Sequence, residues 1–346
     1  MANYSDIKGF TVQTLSSDTI ASQAAGGSWS SGGALNTGKY GGYGVGSGND
    51  NNLNVTGYSG PSRTNTVESY NGSSWTEVAE VNTARYNPGG AGVSSTAALI
   101  FGGDVPPDSG VTESWNGSAW TEVNDLNTAR RGIASFGTYT SAISAGGYAG
   151  TVSNAVESWN GSSWTEIAEL NAGNTDAYGG GSDNTAGIVF GGYTTEITAN
   201  TEQWNGSAWT EVNNLNTVRQ FIAGAGLSST AVLGFGGDIP PRTSKVESWN
   251  GTSWTEVADI STGRQSASGS GSNTNGAILT SGRTSPTAYV SISEEWNNAL
   301  PVGAWSTGGS LNTARAALTG AGTQTLGLAV TGSTNGGDTL TTNVES

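Results

Sequence analysis

The sequence predicts an all-β fold built from one repeated unit, and three observations lead to this prediction. Glycine accounts for 55 of the 346 residues, more than twice its usual share of about 7%. The chain also holds 12 Trp, 11 Tyr and 6 Phe, which a disordered chain would lack, so this composition indicates short strands and tight turns. Finally, the phrase ESWNGSSWTEIAELN at residues 157–171 returns with small changes along the chain.

The repeat has a period of 44 to 50 residues. Its first glutamate and its second tryptophan each occur seven times. They are Glu68, Glu113, Glu157, Glu202, Glu247, Glu295 and Glu345, and Trp29, Trp75, Trp120, Trp164, Trp209, Trp254 and Trp305. A period in the forties with strand-like content is typical of a propeller blade. The sequence therefore predicts a seven-bladed β-propeller of four-stranded antiparallel blades.

Residues 85–123 show how one blade is expected to form. The small residues of YNPGGAGV suit an innermost strand, and the apolar run AALIFGG suits a strand buried on both faces. VTESW and SAWTEV follow as a hairpin, in which Asn-Gly predicts a type I′ turn with two positive φ angles. Strand alternation places Glu113, Trp115, Trp120 and Glu122 on one face of that hairpin.

The two ends of the repeat predict how the ring closes. The repeat begins at Trp29, in an outermost strand, and stops at TTNVES, the partner strand of the same hairpin. We therefore expect residues 341–346 to pair with GSWSSGG near the start, which would remove the open sheet edges. On this interpretation residues 29–346 form the propeller, and loss of residues 341–346 destabilises it.

Residues 1–28 lie outside the repeat and are predicted to form an arm or linker. Ile7, Phe10 and Val12 alternate with polar residues, as in a short strand. Two interpretations stay open: a loose end, or an arm that docks the propeller onto a larger particle.

Composition excludes several classes of chemistry. The chain has no Cys and no His, which excludes disulfides, thiolate nucleophiles, Cys/His zinc sites and histidine-based triads. A net charge of −15 disfavours a nucleic-acid partner. The sequence contains no run of 18 apolar residues, so it predicts no membrane span. Its start also lacks the pattern of a secretory signal. The expectation is a protein made in the cytoplasm and released either by another export route or by lysis, within a particle.

The repeated aromatic and acidic residues favour structure over catalysis. Tryptophans in one register of every blade suit packing between blades, although exposed rows of them would stack on sugars. The NGS and NGT triplets match the glycosylation pattern, but a turn explains the same letters. The carboxylates of the Glu113, Glu122 and Asp125 type recur around the ring, whereas a catalytic pair must be singular. The sequence predicts no enzyme, no cofactor and no metal site.

Half of the 12 basic residues share one register, and Asn174 interrupts it. We expect them to line one mouth of the channel as a basic collar that holds an anion or an acidic sugar. The alternative is that each side chain pairs with a repeated glutamate or with loop carbonyls, as a planar five-donor group does well. The six residues are Lys39, Arg85, Arg130, Arg219, Arg264 and Arg315.

The loops between the second and third strands vary while the frame repeats. They are expected on the same face as the collar, and a rigid scaffold that presents variable loops is typical of a binding protein. The candidate ligand-binding residues on this face are Asp104, Asp108, Tyr148, Tyr193, Asp238, Arg242, Arg283 and Tyr289.

The repeat resembles the kelch family of β-propellers over about residues 27–346. The resemblance depends on a Gly-Gly pair after the apolar strand, then Glu-x-aromatic and a Trp about five residues later. Gly-Gly stands at 102–103, 146–147, 191–192 and 236–237, and is replaced by Thr-Gly or Ser-Gly at 56–57, 281–282 and 331–332. A propeller fold is what this resemblance implies.

A narrower resemblance lies in several short sequence segments. SDIKG near the start, NTAR with GAGTQT, and the repeated W-N-G-S-x-W-T are similar to kelch-like virion proteins of marine bacteriophages, commonly assigned to tail fibres or other external parts. This implies a non-catalytic virion protein, present in multiple copies on the particle exterior, that attaches to a host-surface glycan or receptor and contacts other virion proteins through its arm. The alternatives are a structural decoration of capsid or tail and, disfavoured, a carbohydrate-active enzyme.

Overall fold

The computed structural model describes residues 27–272, 276–286 and 288–297 of the first of two compact units, residues 1–301. In this unit six four-stranded antiparallel sheets form the blades of a β-propeller. The prediction of an all-β propeller with four-stranded blades is confirmed, and the prediction of seven blades is wrong. Ile7, Phe10 and Val12 lie outside the described residues.

Five blades are built from consecutive strands, each ordered from the channel outwards. The first three are β2 (Tyr43–Gly46), β3 (Asn52–Tyr58), β4 (Arg63–Tyr70) and β5 (Trp75–Val78); β6 (Gly89–Ser94), β7 (Ala97–Phe101), β8 (Thr112–Trp115) and β9 (Trp120–Val123); and β10 (Ala134–Thr138), β11 (Ser141–Ala145), β12 (Val156–Trp159) and β13 (Trp164–Ile167). The next two are β14 (Tyr178–Asp183), β15 (Ala186–Phe190), β16 (Thr201–Trp204) and β17 (Trp209–Glu211); and β18 (Ala223–Ala225), β19 (Val232–Phe235), β20 (Val246–Trp249) and β21 (Trp254–Val257).

The sixth blade joins the two ends of the ring. It contains β22 (Ser268–Ser272), β23 (Gly276–Thr280), β26 (Ser293–Asn297) and the first strand of the chain, β1 (Ser28–Gly32). A small hairpin, β24 (Arg283–Ser285) with β25 (Ala288–Tyr289), lies in the loop before β26. Trp29 stands opposite Trp296, as Trp120 stands opposite Trp115 in the second blade. The predicted closure by residues 341–346 is therefore wrong, because β26 already offers β1 the same Trp–Trp register.

The closing blade also corrects the register of the repeated glutamate. The buried glutamate of the second blade lies two residues before the first tryptophan, at Glu113 and Trp115. In the sixth blade the same place belongs to Glu294, two residues before Trp296, and Glu295 is more exposed. The doubled Glu-Glu of that segment made the two positions indistinguishable by counting.

A ring of backbone hydrogen bonds ties each blade to the next. The second glycine of each Gly-Gly or Thr/Ser-Gly pair donates its N–H to the carbonyl of the basic-register residue in the following blade. The six N–O distances are 3.1 Å for Gly57–Arg85, 2.8 Å for Gly103–Arg130, 2.7 Å for Gly147–Asn174, 2.8 Å for Gly192–Arg219, 2.8 Å for Gly237–Arg264 and 2.8 Å for Gly282–Lys39. The last bond runs from the sixth blade to the first, so the ring is complete with six members.

Tryptophans pack between neighbouring blades. Trp115 and Trp120 are buried, lie 5.3 Å apart between ring centroids, and pack with Val45 and Leu53 of the preceding blade. Phe101 meets Trp164 of the next blade at 4.7 Å in the same way. The packing interpretation of the tryptophan register is confirmed.

The Asn-Gly hairpin exists, but its turn is not the predicted type I′. Residues 116–119 form a four-residue connection between the paired Trp115 and Trp120. Only Gly117 has a positive φ, of 94°. The Asn116 side chain accepts hydrogen bonds from the N–H groups of Ser118 and Ala119 at 2.9 and 3.0 Å. Asparagine is used here for its side-chain acceptor, as in an Asx turn, and not for its left-handed backbone.

The second unit, residues 302–346, is described only at its strands. β27 (Thr319–Gly322), β28 (Gly327–Val330) and β31 (Val344–Glu345) form one sheet, and β29 (Ser333–Thr334) pairs with β30 (Thr339–Leu340). Ala329 pairs with Glu345 just as Ile100 pairs with Glu113. These three strands therefore repeat the register of a blade, which explains why counting the repeat predicts seven.

Candidate ligand-binding site

The basic register is buried inside the blades. Every described member is fully buried: Lys39, Arg85, Arg130, Arg219 and Arg264 each have 0% of their surface exposed. Arg315 lies outside the described residues. The sequence predicts that these side chains line the channel mouth. In the structure they instead point back between the strands of their own blade.

Each buried cation faces the repeated glutamate. Arg219 lies 2.7 Å from Glu247 and Arg130 lies 2.9 Å from Glu157, oxygen to nitrogen. The other guanidinium nitrogen of Arg219 donates to the carbonyl of Lys245 at 2.7 Å. Burial lowers the pKa of Arg264 to about 10, so it keeps its charge at neutral pH. These contacts are the ones that the alternative interpretation of the register describes.

The fourth blade shows what happens without the cation. Asn174 takes the place of arginine, and its side-chain amide donates to the carbonyl of Gly191 at 2.8 Å. Glu202 keeps two hydrogen bonds from Asn171, at 2.9 and 2.7 Å. Burial raises the pKa of Glu202 above its usual value, and no ion pair among the described residues opposes this shift.

The variable loops meet around one mouth of the channel. In every blade the residue after the basic register forms a β-bridge with a residue at the end of the second strand or in the segment that follows it. The pairs are Tyr40 with Tyr58, Tyr86 with Asp104, Arg131 with Tyr148, Thr175 with Tyr193, Gln220 with Asp238 and Gln265 with Arg283. The loop face therefore surrounds the channel.

A second ring of hydrogen bonds encircles this mouth and has one gap. Its members are Gly41, Asn87, Gly132, Asp176, Phe221 and Ser266, all with positive φ. Five bonds of 2.7 to 3.0 Å join neighbours from blade to blade. Within the described part of the chain, no backbone hydrogen bond joins Phe221 N to Asp176 O.

A cavity of about 300 Å³ opens beside that gap. Its walls include three aromatic rings, two carboxylates and a guanidinium. They belong to Tyr86, Tyr148, Phe221, Asp104, Asp176 and Arg131. A concave site with aromatic walls and a few convergent polar groups is the usual form of a small-ligand site.

The charges around the cavity are mostly paired. Arg131 lies 2.7 Å from Asp108 and 4.7 Å above the Tyr148 ring. Asp104 lies 2.8 Å from Arg63. Burial raises the pKa of Asp176 to about 7, against the opposing attraction of Arg131.

A cluster of four tyrosines borders this cavity through Tyr86. Tyr40 stacks on Tyr289 at 5.0 Å and meets Tyr86 edge-on at 5.2 Å. Tyr58 completes the cluster, and the guanidinium of Arg283 lies 5.4 Å from the Tyr40 ring. Edge-on and offset contacts of this kind hold the rings in fixed orientations.

The structure thus brings only some of the predicted loop residues together. Asp104 and Tyr148 line the cavity, and Asp108 pairs with Arg131 of its wall. Arg283 and Tyr289 lie at the tyrosine cluster. Tyr193, Asp238 and Arg242 belong to loops of other blades around the mouth.

Sequence reasoning missed Asp176 and Phe221. Their register holds Gly, Asn, Gly, Asp, Phe and Ser in successive blades. This variation, one residue past the β-bridge position, is the signal that the sequence offers; it marks the position as variable but does not reveal the cavity.

Among the described residues, no group of three Asp or Glu side chains is arranged to hold a metal ion. In the same part of the chain, no helix has the length and apolar character needed to cross a membrane.

Comparison with known proteins finds no protein-family model that matches the chain and no matching curated protein.

Replacement of Asp176 by Asn is expected to stabilise the protein at pH 8. The native carboxyl has a pKa of about 7 against about 3.9 when unfolded, so the folded state holds the proton more tightly. Stability from this group is complete at low pH and falls as the pH rises from about 4 to 7. We expect a gain of roughly 2 kcal/mol at pH 8, about half the full linkage value because channel water screens the charge, and none at pH 3.

Urea unfolding of both proteins at the two pH values measures this effect. Asn is tolerated at φ 57°, since Asn87 adopts the same left-handed conformation in the second blade. Asp238→Asn on the same face is the control and should change stability little. Equal stabilities of Asp176→Asn and the unmodified protein at pH 8 would contradict the raised pKa.

Proposed function

We propose that this protein is a non-catalytic binding protein that presents the loop face of its propeller to an external ligand. The observation that supports this most directly is the cavity of about 300 Å³ at the channel mouth. It lies where loops of different blades converge on a rigid ring, and binding residues are commonly placed on loops held by such a scaffold.

We further infer that the propeller is of the kelch type and belongs to the exterior of a bacteriophage particle, where it attaches to a host-surface glycan or receptor. The Gly-Gly, Glu-x-aromatic and Trp pattern supports the first part. The similarity of the segments SDIKG, NTAR and W-N-G-S-x-W-T to phage virion proteins supports the position on the particle exterior. On this proposal residues 1–28 contact other virion proteins, several copies occur per particle, and the protein is made in the host cytoplasm.

Structural decoration of the capsid or tail is the second candidate. It is favoured by the sameness of the blades, whose buried ion pairs and tryptophan layers repeat with little change. A ring of this kind braces its neighbours without needing a ligand.

An enzymatic role has less support from the repeated carboxylates. Glu113 accepts hydrogen bonds from Asn82 at 2.7 Å and from Thr83 at 3.3 Å, and it also pairs with Arg85. A fully buried carboxylate with every acceptor position used has no proton to exchange with a substrate.

Binding to isolated host envelopes tests the proposal. The double variant Tyr148→Ala/Phe221→Ser removes two aromatic walls of the cavity, and we expect at least a tenfold loss of binding. Ser118→Ala, in a hairpin turn at the other end of the blade, is the matched control and should bind normally. Undiminished envelope binding by the double variant, or a position of the protein within the capsid lattice by electron microscopy, would favour decoration instead.

A further inference from the structure

The cavity at the channel mouth holds one carboxylate without a counter-ion. Asp104 is paired with Arg63 and Arg131 with Asp108, so these two charges of the wall are neutralised. Among the described residues, no cationic nitrogen lies within 4 Å of Asp176. The amide nitrogen of Asn87 donates a hydrogen bond to the carboxylate at 3.5 Å. When Asp176 is deprotonated, the cavity therefore carries one negative charge that no ion pair neutralises.

The aromatic walls also suit a cation. Tyr86 lines the cavity beside Asp176, and Phe221 lines it from the fifth blade. The negative face of an aromatic ring attracts an ammonium group, most strongly where water is excluded. One such pairing already exists here, since Arg131 covers the Tyr148 ring. A ligand cation therefore has the Tyr86 and Phe221 rings for contact and Asp176 for charge.

Phe221 occupies a strained position. It is half-buried, with its backbone at φ 50°. The other members of its register are Gly, Asn, Asp and Ser, which tolerate the left-handed region far better than a bulky side chain. Strain of this kind in a residue that lines a cavity points to a role in binding.

The gap in the mouth ring supplies polar partners beside these groups. Five neighbouring pairs of the ring are joined by a backbone hydrogen bond. In the described part of the chain, the N–H of Phe221 and the C=O of Asp176 form no such bond with each other. Both residues line the cavity, so one backbone donor and one backbone acceptor lie beside it. Sugar hydroxyls, which both donate and accept, match such a pair.

We propose that this cavity binds the ammonium group of an amino sugar, with Asp176 as its counter-ion and Tyr86 and Phe221 as its cation–π partners. This inference rests on the proposed glycan-binding function and names its ligand class. It differs from the acidic sugar expected from the sequence, because the arginines behind that expectation are buried and paired. A cavity of about 300 Å³ is large enough for one sugar ring.

The pH dependence of binding follows from the same geometry. Arg131 and Tyr86 are the titratable groups that interact with Asp176. The pKa of Asp176 is about 7, so below pH 7 most of this carboxyl is protonated. A protonated carboxyl carries no charge and cannot act as the counter-ion of an ammonium group. Binding of a cation with a permanent charge should weaken by roughly 30-fold between pH 8 and pH 5.5.

Calorimetric titration of the full chain tests the proposal with glucosamine and N-acetylglucosamine, which differ in the charge of one nitrogen. At pH 7 we expect glucosamine to bind at least tenfold more tightly. Asp176→Asn should abolish this preference, while Glu196→Gln, at an exposed carboxylate in the loop after β15 and outside the cavity, should keep it. Equal binding of the two sugars, or an unchanged preference in Asp176→Asn, would overturn the proposal.

Choline separates the amine from the sugar. Its quaternary ammonium keeps its charge at every pH, so it is the probe for the pH series. We expect it to bind more weakly than glucosamine; choline binding as tight as glucosamine would overturn the assignment to a sugar, and pH-independent binding would overturn the role of Asp176.

Failure of this inference is distinguishable from failure of the proposed function. A protein that attaches to host envelopes but ignores glucosamine keeps its function and loses this ligand. A protein that binds glucosamine through Asp176 but shows no affinity for host envelopes keeps the site and loses host attachment.

Discussion

A chain that begins at Gly33, and so lacks β1, is expected to lose most of the stability of the propeller. Trp29 packs 5.5 Å from Trp296 and 5.3 Å from Phe235, and its indole N–H donates to the carbonyl of Ala258 at 3.0 Å. Loss of a fully buried tryptophan costs about 3–5 kcal/mol; Trp29 is partly buried, so we expect its loss alone to cost about 3 kcal/mol or less. Removal of the strand also opens the edge of β26, in a molecule whose net stability is of the order of 5–15 kcal/mol.

Thermal and urea unfolding of two further truncations make this prediction specific. A chain that starts at Gly27 keeps β1 and should unfold within about 0.5 kcal/mol of the full chain. A chain that ends at Leu340 should keep the closed ring, because β26 and not residues 341–346 pairs with β1. Normal stability of the chain that lacks β1, together with collapse of the one that lacks residues 341–346, would contradict the six-bladed closure.

Replacement of Arg219 by Met is expected to destabilise the protein by about 3–5 kcal/mol. The substitution keeps much of the side-chain volume and leaves Glu247, which is 1% exposed, without its cation. It also removes the hydrogen bonds from the guanidinium to the carbonyls of Gly236 and Lys245. A buried charge that loses its partner is costly because the surroundings cannot replace the lost solvation.

Two comparison variants show the origin of that effect. Arg63→Met breaks a partly exposed ion pair with Asp104 and should cost about 1 kcal/mol or less. Arg219→Asn copies Asn174 of the fourth blade, whose amide reaches the equivalent carbonyl, so it should cost less than Arg219→Met. Urea unfolding at pH 7 measures all three; an Arg219→Met protein with unchanged stability and impaired anion binding would support the basic collar instead.

Asp176 shows how binding and stability oppose each other at the mouth. The same substitution, Asp176→Asn, is expected to raise stability at pH 8 and to remove the preference for an ammonium group. A site that keeps an unpaired carboxylate in a partly buried cavity gives up stability for its function. Both effects follow from removal of one negative charge: burial makes this charge costly, as the pKa of about 7 shows, and the same charge is the proposed counter-ion of the ammonium group.

Local patterns were predictable from the sequence, and the number of blades was not. The Trp–turn–Trp hairpin depends on residues a few positions apart, so the pairing of Trp115 with Trp120 follows from reading along the chain. Closure depends on which distant strand β1 selects. The Glu-x-Trp strand at residues 293–297 and the final segment at 341–346 carry similar patterns, and no local rule separates them.

Burial of the arginines likewise needed the fold. Arg219 and Glu247 are 28 residues apart, and they meet away from water only because β18, β19 and β20 lie side by side in one sheet. A count of basic residues in one register predicts a shared position but not whether that position faces solvent. The loop face was predictable from its variability, whereas Asp176 and Phe221 were not, because one-residue differences in a turn reveal no cavity.

By itself the sequence determined an all-β chain of four-stranded blades, repeated hairpins, a tryptophan layer between blades and the absence of Cys and His chemistry. These properties follow from period, alternation and composition, which act over short distances. Only the tertiary structure decided the six-bladed ring, the burial of the basic register and the cavity beside Asp176. Each of these depends on which strands meet across the ring, and that choice is made by packing and hydrogen bonding between residues far apart in the chain.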